Sequence, residues 1–480
     1  MPGLSRSARI LLSLAVALLL VAAPACCAGQ PRYLGLTILH TNDIHGHLFP
    51  FDYDALGKQE SQVGGAARRA ALIRQLKGSS ANPVLVMDAG DVFTRGPLSD
   101  LKGVVDFEVM NAVGYDIMAL GNNELKGAPG LEGRKIMFDR IRQARFPVVS
   151  ANVFDQATGK TIVPEYEIFE LGELKVGVFG LTAQRVAAYD QARGLDVRDP
   201  VAAARRVVAE LEGRCNLIVA LTHVGYPVDL EIAAAAPQID VIIGGDSHTW
   251  LFDPTVVSSG PGVRPDWSVG GVLVCQAGEW GKAVGKLDLS LRLDSNGRYR
   301  VMGYSGKLID VDSSIEPAAD VERIVWKHAK PYLRVGGRLR EPVPKAEAPG
   351  WVAQRLLEAS GAQVAAAPSA GIENGLPAGD VTYLDVRKMF PFVNEVVIIS
   401  VTAKQIVDFA AQADVGLAGA RVAAGKLYFG DSAADDDAPY TLAVEDYYAG
   451  AYPSLAAAVP KPTGLSTRDI VTEYIRRAAQ

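Results

Sequence analysis

Cysteine is scarce in this chain of 480 residues, which has four, two of them adjacent at Cys26 and Cys27. The sequence has no Cys-x-x-Cys pair and no cluster of cysteine with histidine, which argues against a zinc site built from thiolates. The other two cysteines, Cys215 and Cys275, lie in or beside apolar, strand-like runs. They are either buried free thiols or, in an oxidising compartment, the two halves of a disulfide; buried thiols are the simpler interpretation.

An excess of positive charge is also absent. The chain has 48 Lys and Arg against 54 Asp and Glu, with a formal net charge of −6 and no basic block. This balance excludes an electrostatic basis for binding nucleic acid polymers. A small anionic substrate would instead be held by a metal or by local donors. The length predicts two or three domains, each with its own core.

One long apolar run, Ile10–Ala23, is shorter than the roughly 20 residues that a membrane span needs. Arg6 and Arg9 precede it and small residues follow, so residues 1–29 are predicted to be a secretory signal peptide rather than an uncleaved anchor helix. The protein is therefore expected to be exported, periplasmic or associated with the cell envelope. Cys26 is a candidate for lipidation, which would make the protein a lipoprotein and give it its one contact with a membrane.

Histidine is sparse, with six in the chain, and its distribution is uneven. An apolar run, Leu34–Leu39, leads directly to Asp43 and His45, and an Asp-x-His pair leaving a tight turn is a usable half-site for a divalent metal. Four of the remaining five histidines also follow predicted strands. Histidines used only for packing would be more scattered.

The same arrangement of a strand followed by a metal-competent side chain recurs four more times. The strand ends supply seven oxygen and nitrogen donors, which are Asp43, His45, Asp91, Asn122, His223, Asp246 and His248. Ligands of open α/β sheets bind beyond the carboxyl ends of the strands. Seven donors are too many for one tetrahedral zinc, and they suit two divalent ions (Mn, Zn, Mg or Fe) that share a carboxylate. Asp91 is the natural bridge.

Buried strands alternate with amphipathic helices over residues 33–308, which predicts a layered α/β domain. Residues 309–348 form a helical stretch followed by a segment rich in Arg, Gly and Pro, and we interpret them as a connector. A second, smaller α/β domain is predicted over 349–480.

Several sequence strings resemble a known family. LHTNDIHGH, GGAARRA, DAGDVFTRGP, ALGNNE, LTHVG, GGDSHT and VCQAGEWGKAVGKLDL are similar to the calcineurin-type metallophosphoesterase domain of the 5′-nucleotidase family. SAGIENGLPAGDVT and PFVNEVV are similar to its C-terminal domain. The resemblance implies a four-layer αββα domain followed by a smaller α/β domain that binds the substrate.

The resemblance also implies a site and an activity. Asp43, His45, Asp91 and His248 would hold one ion, and Asp91, Asn122, His223 and Asp246 the other. The implied activity is hydrolysis of a small phosphorylated substrate, of which a nucleotide is the family's example. A metal-bridging hydroxide would attack the phosphorus in line.

Three substitutions relative to the family pattern affect the predicted catalysis and metal binding. Asn123 stands where the family has a catalytic histidine, and Lys126 replaces the acidic residue that orients it. Loss of such an imidazole typically costs 10²–10⁴-fold in rate, and Lys126 is a candidate to supply positive charge instead. Asp246 replaces a histidine ligand, which hardens the site toward Mn, Mg or Fe relative to Zn.

The C-terminal domain departs further. Glu373 occupies the place of an arginine and would repel a phosphate, and the family's Gly-Gly-Asp-Gly-Tyr segment is degraded. Tyr447 and Tyr448 can stack on a base, or they are ordinary packing aromatics. Asn394 matches the family pattern and is either a substrate contact or structural.

Three hypotheses remain open. The first is a dinuclear phosphoester hydrolase altered in substrate or rate by Asn123. The second is a member of the family that binds metal or ligand without catalysis, as suggested by Asn123, Lys126 and Glu373. The third is a related enzyme of the thiosulfohydrolase type, which no residue specifically supports.

Overall fold

The computed structural model of the chain describes residues 33–55, 58–128, 130–258 and 269–478. The predicted signal peptide over 1–29, with Cys26, lies outside these ranges. In the part that the structure describes, no helix combines the length and the apolar character needed to cross a membrane.

The first part of the chain contains sixteen described strands and six described α-helices. The strands are β1 (Tyr33–Thr41), β2 (Phe51–Ala55), β3 (Lys58–Val63), β4 (Val84–Asp88), β5 (Ile117–Ala119), β6 (Val148–Val149), β7 (Val153–Asp155), β8 (Tyr166–Leu171), β9 (Leu174–Thr182), β10 (Leu195–Val197), β11 (Leu217–His223), β12 (Val241–Gly244), β13 (Thr255–Ser258), β14 (Gly271–Cys275), β15 (Ala283–Leu293) and β16 (Tyr299–Asp310). The helices are α1 (Ala66–Ser79), α2 (Val104–Val113), α3 (Gly130–Gln143), α4 (Pro200–Leu211), α5 (Tyr226–Ala235) and α6 (Ala319–Ala329).

These elements form four layers. One six-stranded sheet has the order β16-β15-β1-β4-β5-β6, and the other has the order β13-β14-β12-β11-β9-β8. Apolar side chains of both sheets, such as Ile38, Met87 and Val219, share one core between them. Helices α1, α2, α3 and α6 cover the outer face of the first sheet, and α4 and α5 cover that of the second. The predicted αββα fold class is confirmed.

Because strands pair in parallel within each sheet, their carboxyl ends lie at the same edge of that sheet. In the first sheet β1, β4, β5 and β6 run parallel, and in the second β9, β11, β12 and β14 do so. Strand β11, with the sequence LIVALTH, is buried throughout, as expected for a strand covered on both faces. The carboxyl ends of both parallel runs therefore deliver their loops to one edge of the domain.

The second part of the chain forms a smaller α/β domain. Its strands are β17 (Val335–Leu339), β18 (Val364–Pro368), β19 (Gly379–Thr382), β20 (Glu395–Thr402), β21 (Val415–Ala418), β22 (Arg421–Ala423), β23 (Lys426–Phe429), β24 (Ser432–Ala433), β25 (Pro439–Glu445) and β26 (Lys461–Ser466). Its helices are α7 (Ala348–Ser360), α8 (Tyr383–Met389), α9 (Ala403–Gln412), α10 (Asp446–Ala451) and α11 (Thr467–Ala478). The domain is built around a five-stranded sheet of order β21-β18-β25-β20-β26. Helices α7, α8 and α11 pack on one face of this sheet and α9 packs on the other.

One local detail differs from the sequence interpretation. Within the predicted connector, β17 pairs antiparallel with β19 of the second domain. Gly337 permits this because a Cβ there would lie 2.1 Å from the carbonyl oxygen of Ile475 in α11. A Gly-Gly pair has low strand propensity, so the sequence did not reveal the strand.

Cys215 and Cys275 are both free and buried. Cys215 packs in the core beneath α4, whereas Cys275 lies in the core between the two sheets. The simpler of the two interpretations, buried thiols, agrees with this arrangement.

Candidate metal centre

The seven predicted donors lie together at the edge where the parallel strands of both sheets end. They are Asp43 and His45 after β1, Asp91 after β4, Asn122 after β5, His223 at the end of β11, and Asp246 and His248 after β12. Most are buried, and His248, with 28% of its side chain exposed, borders the solvent. The structure thus brings all seven into one neighbourhood.

The backbone of this neighbourhood adopts an uncommon conformation. Five of the seven residues have positive φ, namely Asp43 (50°), His45 (50°), Asp91 (60°), Asp246 (81°) and His248 (53°). The left-handed region costs an L-residue roughly 1–2 kcal/mol and persists only where surrounding structure imposes it. Here hydrogen bonds between loops impose it, since the amides of Asp43 and His45 donate to the carbonyls of Gly90 and Asp91, both at 2.9 Å. Such conformations cluster at functional sites.

One group of donors comprises Asp43, His45 and His248. Nε2 of His248 lies 3.3 Å from Oδ1 of Asp43 and 3.2 Å from Nε2 of His45. Nε2 of His45 lies 3.7 Å from the same carboxylate oxygen. Three ligand atoms that face one another across these distances can surround one ion.

A second group comprises Asp43, Asp91 and His223. Nε2 of His223 lies 3.2 Å from Oδ1 of Asp91 and 4.0 Å from Oδ1 of Asp43. The two groups share Asp43, whereas the sequence interpretation made Asp91 the bridge. Asp91 still stands between them, because its Oδ2 is 3.9 Å from Nε2 of His45.

Among the donor atoms that face one another, Oδ1 of Asp43 and Nε2 of His223 are buried and lack hydrogen-bond partners. Nδ1 of His223 lies 2.7 Å from the carbonyl oxygen of Ala89, so the ring proton belongs on Nδ1 and the Nε2 lone pair faces the carboxylates. Buried polar atoms are normally satisfied. These atoms therefore fit a cation that completes their coordination.

The electrostatics agree with this interpretation. Burial lowers the pKa of His45 well below its usual value, which keeps the imidazole neutral as metal ligation requires. Burial opposes charge on His223, yet the carboxylates of Asp91, Asp43 and Asp246 raise its pKa well above the usual value. The pocket thus attracts a positive charge, which a proton or a metal ion can supply.

Glu279 supports His248 from outside the group. Its Oε2 lies 2.6 Å from Nδ1 of His248, and its Oε1 accepts a hydrogen bond from the hydroxyl of Tyr53 at 3.1 Å. A carboxylate behind a histidine ligand fixes the ring orientation and increases its basicity. Glu279 lies within the family-like string VCQAGEWGKAVGKLDL, but it was not among the predicted donors because it does not directly follow an apolar strand in the pattern that identified them.

Asn123 and Glu124 form hydrogen bonds that fix the loop carrying Asp91. The backbone amide of Asn123 donates to Oδ1 of Asp91 at 2.7 Å, and its side-chain Nδ2 donates to Oδ2 at 2.5 Å. The buried Glu124 carboxylate accepts from the backbone amides of Asp91, Val92 and Gly121. Asn123 therefore bonds to the carboxylate of a predicted ligand rather than extending freely into the solvent.

A cavity of about 810 Å³ adjoins the centre between the two domains. The five predicted catalytic and substrate-binding residues all line it, and they are Asn123, Lys126, Asn394, Tyr447 and Tyr448. Arg95 and Lys102 also line it, so three cationic side chains border the same space. The ammonium of Lys126 lies 4.5 Å from the ring centre of Tyr189.

The three cavity residues that were predicted from the second domain differ in exposure and in whether they already have a hydrogen-bond partner. Tyr447 has 64% of its surface exposed, whereas Tyr448 is buried and meets it edge to face at 5.2 Å. Nδ2 of Asn394 donates to Oε2 of the buried Glu445 at 2.9 Å. Tyr447 is thus available to a ligand, and Asn394 already has a structural partner.

Glu373, at the position of the family's arginine, is not among the residues that line this cavity. Its Oε1 lies 3.1 Å from Nε2 of His47, whose ring stacks on Trp280 at 4.4 Å. Both partners are buried. Glu373 therefore has a specific partner in the first domain, and its repulsion of a phosphate stays a prediction.

Comparison with known proteins agrees with this architecture. Residues 36–250 match the family model of the calcineurin-like phosphoesterase, and residues 337–416 match that of the 5′-nucleotidase C-terminal domain. The chain is 30% identical over 452 residues to a 5′-nucleotidase of Vibrio cholerae, covering 81% of this chain and 79% of the relative. It is 28% identical over 459 residues to protein UshA of Escherichia coli, covering 83% and 80%.

Two solved structures are similar over nearly the whole chain. The 5′-nucleotidase precursor from Thermus thermophilus superposes with a TM-score of 0.71 at 27% identity, covering 93% of this chain and 97% of that one. The sulfate thiohydrolase SoxB of the same genus superposes with a TM-score of 0.69 at 19% identity, covering 94% and 95%, and this likeness concerns the fold alone. With two matching domain models in order and a relative at 30% identity, the chain belongs to the 5′-nucleotidase family of metallophosphoesterase hydrolases.

Proposed function

We propose that the protein is an exported, metal-dependent hydrolase of small phosphoesters, acting on a nucleotide or a similar phosphorylated compound. One observation carries the proposal: two groups of donors, buried except for the partly exposed His248 and sharing Asp43, lie beside a cavity bordered by cationic side chains. Asn123 connects the two, because it bonds to Asp91 and lines the cavity.

The donor set suits divalent ions. Following the family resemblance, Asp43, His45, Asp91 and His248 would hold one ion, and Asp91, Asn122, His223 and Asp246 the other. Asp43 also faces His223 of the second set, with 4.0 Å between Oδ1 and Nε2. Mixed carboxylate, imidazole and amide donors favour Mn, Fe, Zn or Mg over softer metals. When bound, such ions supply a nucleophile at neutral pH and positive charge for the phosphoryl oxygens.

The remaining side chains would orient the substrate. Arg95, Lys102 and Lys126 face the cavity and can bind phosphate oxygens as cations. The exposed ring of Tyr447 offers a face on which a base can stack, an interaction worth about 1–3 kcal/mol. The Vibrio cholerae relative is named a 5′-nucleotidase, which makes a nucleotide the first substrate to test.

A second candidate function is metal or ligand binding without turnover. Asn123 favours it, because an amide that bonds to Asp91 cannot act as a general acid or stabilise charge as an imidazolium does. The two candidates share the metal site and differ in whether bound substrate is cleaved.

Export is proposed from the N-terminal sequence, in which Arg6 and Arg9 precede the apolar run and small residues follow. Fractionation of cells that express the full chain would test it, and the proposal requires a processed form in the envelope fraction. Cys26→Ala, compared with wild type in a detergent partition, would test a lipid anchor.

The function is tested by metal analysis together with an activity panel. Protein loaded with Mn²⁺ or Zn²⁺ is expected to bind metal and to hydrolyse a nucleoside monophosphate, an aryl phosphate monoester or a diester. Asp91→Ala should abolish both, whereas Asp190→Ala, at an aspartate with 60% of its side chain exposed, should change neither. Metal binding without turnover of any ester, or of a thiosulfonate-type conjugate, would support the non-catalytic alternative.

A further inference from the structure

Arg185 occupies an unexpected place in the second group of predicted ligands. It lies in the 3₁₀ turn Gln184–Ala188 that follows β9, far in sequence from every ligand motif. Its Nη1 donates to Oδ2 of Asp246 at 2.6 Å, and its Nη2 contacts the other oxygen of the same carboxylate. Nη2 also donates to Oδ1 of Asn122 at 2.7 Å. One guanidinium thus binds two of the four residues assigned to the second ion.

The carboxylate ligand that Arg185 binds, Asp246, is placed differently from the other carboxylate and histidine donors. In the part of the chain that the structure describes, Asp246 joins neither group of three donors that face one another. Its Oδ1 nevertheless lies 3.5 Å from Nε2 of His223, at the border of the second group. The first group contains no residue that Arg185 touches. The two predicted metal positions therefore differ. The donors of the first group face one another and do not contact Arg185, whereas Asn122 and Asp246 of the second position already bind its guanidinium.

The side chain of Arg185 is exposed enough to move away from Asp246 and Asn122. Its side chain is 51% exposed, whereas that of Asp246 is 8% exposed. Displacing the guanidinium into water would therefore open the ligands without disturbing the core. Staying in place, it puts a positive charge within hydrogen-bond distance of the oxygens that a second ion needs, and like charges at such separations repel strongly at a partly buried site.

We infer that the guanidinium of Arg185 competes with the second divalent ion for Asn122 and Asp246, so that the chain binds its two ions with unequal affinity. The first ion binds among Asp43, His45 and His248, and the second binds when Arg185 swings away. This inference rests on the proposed function in taking the pocket as a metal site, and it adds a regulator of that site. An alternative role, in which Arg185 positions Asp246 for the ion, predicts the opposite effect of its removal.

The test is direct metal binding by the full chain. Chelator-stripped protein is titrated with Mn²⁺ by calorimetry, and electron paramagnetic resonance reports the formation of a spin-coupled pair, which requires two neighbouring ions. We expect two binding steps in wild type. In Arg185→Ala and Arg185→Gln the second step should tighten at least about tenfold, and the coupled signal should appear at lower Mn²⁺. Arg185→Lys should lie between, since an ammonium lacks the bidentate geometry.

Arg193→Ala is the matched control. Arg193 follows eight residues later and pairs with Asp190 on the surface, where both side chains are exposed. Its removal should leave both steps unchanged. An unchanged or weaker second step in the Arg185 variants, or equal affinities in wild type, would overturn the inference and leave the proposed function standing. Absence of any Mn²⁺ binding in wild type and variants would overturn both.

Discussion

The imidazole of His47 and the carboxylate of Glu373 meet across the two domains, with Nε2 and Oε1 3.1 Å apart. His47 belongs to the loop that carries the ligands Asp43 and His45, and its ring stacks on Trp280. The backbone amide of Glu373 donates to the carbonyl of Met389 at the end of α8, which fixes the acid within the second domain. This buried contact couples the position of the second domain to the loop of the metal centre.

We therefore expect Glu373→Ala to loosen the contact between the domains. Removing one partner of a buried polar pair leaves the other unsatisfied, at a cost of about 1–3 kcal/mol. The melting temperature should fall, and X-ray scattering should report a broader distribution of domain arrangements. Glu358→Ala removes a half-exposed acid from α7 and should change neither property.

A double-mutant cycle separates this pair from general damage. If the contact matters, the stability losses of His47→Ala and Glu373→Ala should sum to more than the loss in the double variant. Strict additivity would show that the two side chains do not interact in solution.

A second prediction concerns Glu279, which lies behind His248. Glu279→Gln keeps the size of the side chain and removes the carboxylate charge that orients the ring. Loss of such an outer partner typically costs 10–100-fold in metal affinity, and we expect that range for Mn²⁺ in a calorimetric titration. Tyr53→Phe removes only the other hydrogen bond to Glu279 and should cost much less. Equal losses in the two variants would indicate that the hydroxyl, rather than the carboxylate charge, is the important element.

A third prediction concerns Asn123, which occupies the family's histidine position and bonds to Asp91. Asn123→His should restore an imidazole at the edge of the cavity and raise kcat toward a nucleoside monophosphate by about 10²–10⁴-fold. The variant Asn123→Gln keeps an amide and serves as the control, with no gain expected. Metal content measured on the same samples shows whether the change reflects chemistry or occupancy. Failure of the histidine variant to gain activity at full metal content would falsify the view that Asn123 limits the rate.

The sequence was informative where strands carry the donors. Strongly apolar runs such as Leu34–Leu39 indicate buried strands, and the rule that ligands bind beyond the carboxyl ends of strands then places Asp43 and Asp91 at the same edge. Residues from distant segments were not predictable in this way. Arg185 lies outside every family-like string, and Glu279 lies inside one without following the strand-then-donor pattern, so only the three-dimensional arrangement reveals their contacts.

The contact between the two domains was likewise only partly predictable from the sequence. Sequence comparison identifies Glu373 as a departure from the family pattern, and its charge predicts repulsion of a phosphate. Its partner, His47, is 326 positions away in sequence. Motifs identify which residue types have changed, whereas a compensating partner depends on how the two domains pack.

The last prediction uses a buried acid away from the predicted ligands. Asp106 lies in the first turn of α2, and its Oδ1 has no hydrogen-bond partner. Burial raises the pKa of Asp106 to about 7, with Arg69 and Arg140 acting in the opposite direction. In the unfolded chain an aspartate ionises near 3.9. Between about pH 4 and pH 7 the folded state therefore keeps a proton that the unfolded state has lost, and this group's contribution to stability falls as the pH rises.

Asp106→Asn mimics the protonated acid and should remove this dependence. At pH 4 the variant and the wild type should melt alike, whereas at pH 8 the variant should be more stable by about 1–4 kcal/mol, each kcal/mol being worth roughly 2–4 °C in a domain of this size. Melting temperatures at both pH values, compared as differences from wild type, cancel the pH dependence of all other groups. Asp431→Asn, at a fully exposed aspartate, should show no such difference. If Asp106→Asn tracked the wild type at both pH values, Asp106 would have to be ionised within the folded protein, with Arg69 and Arg140 outweighing its burial.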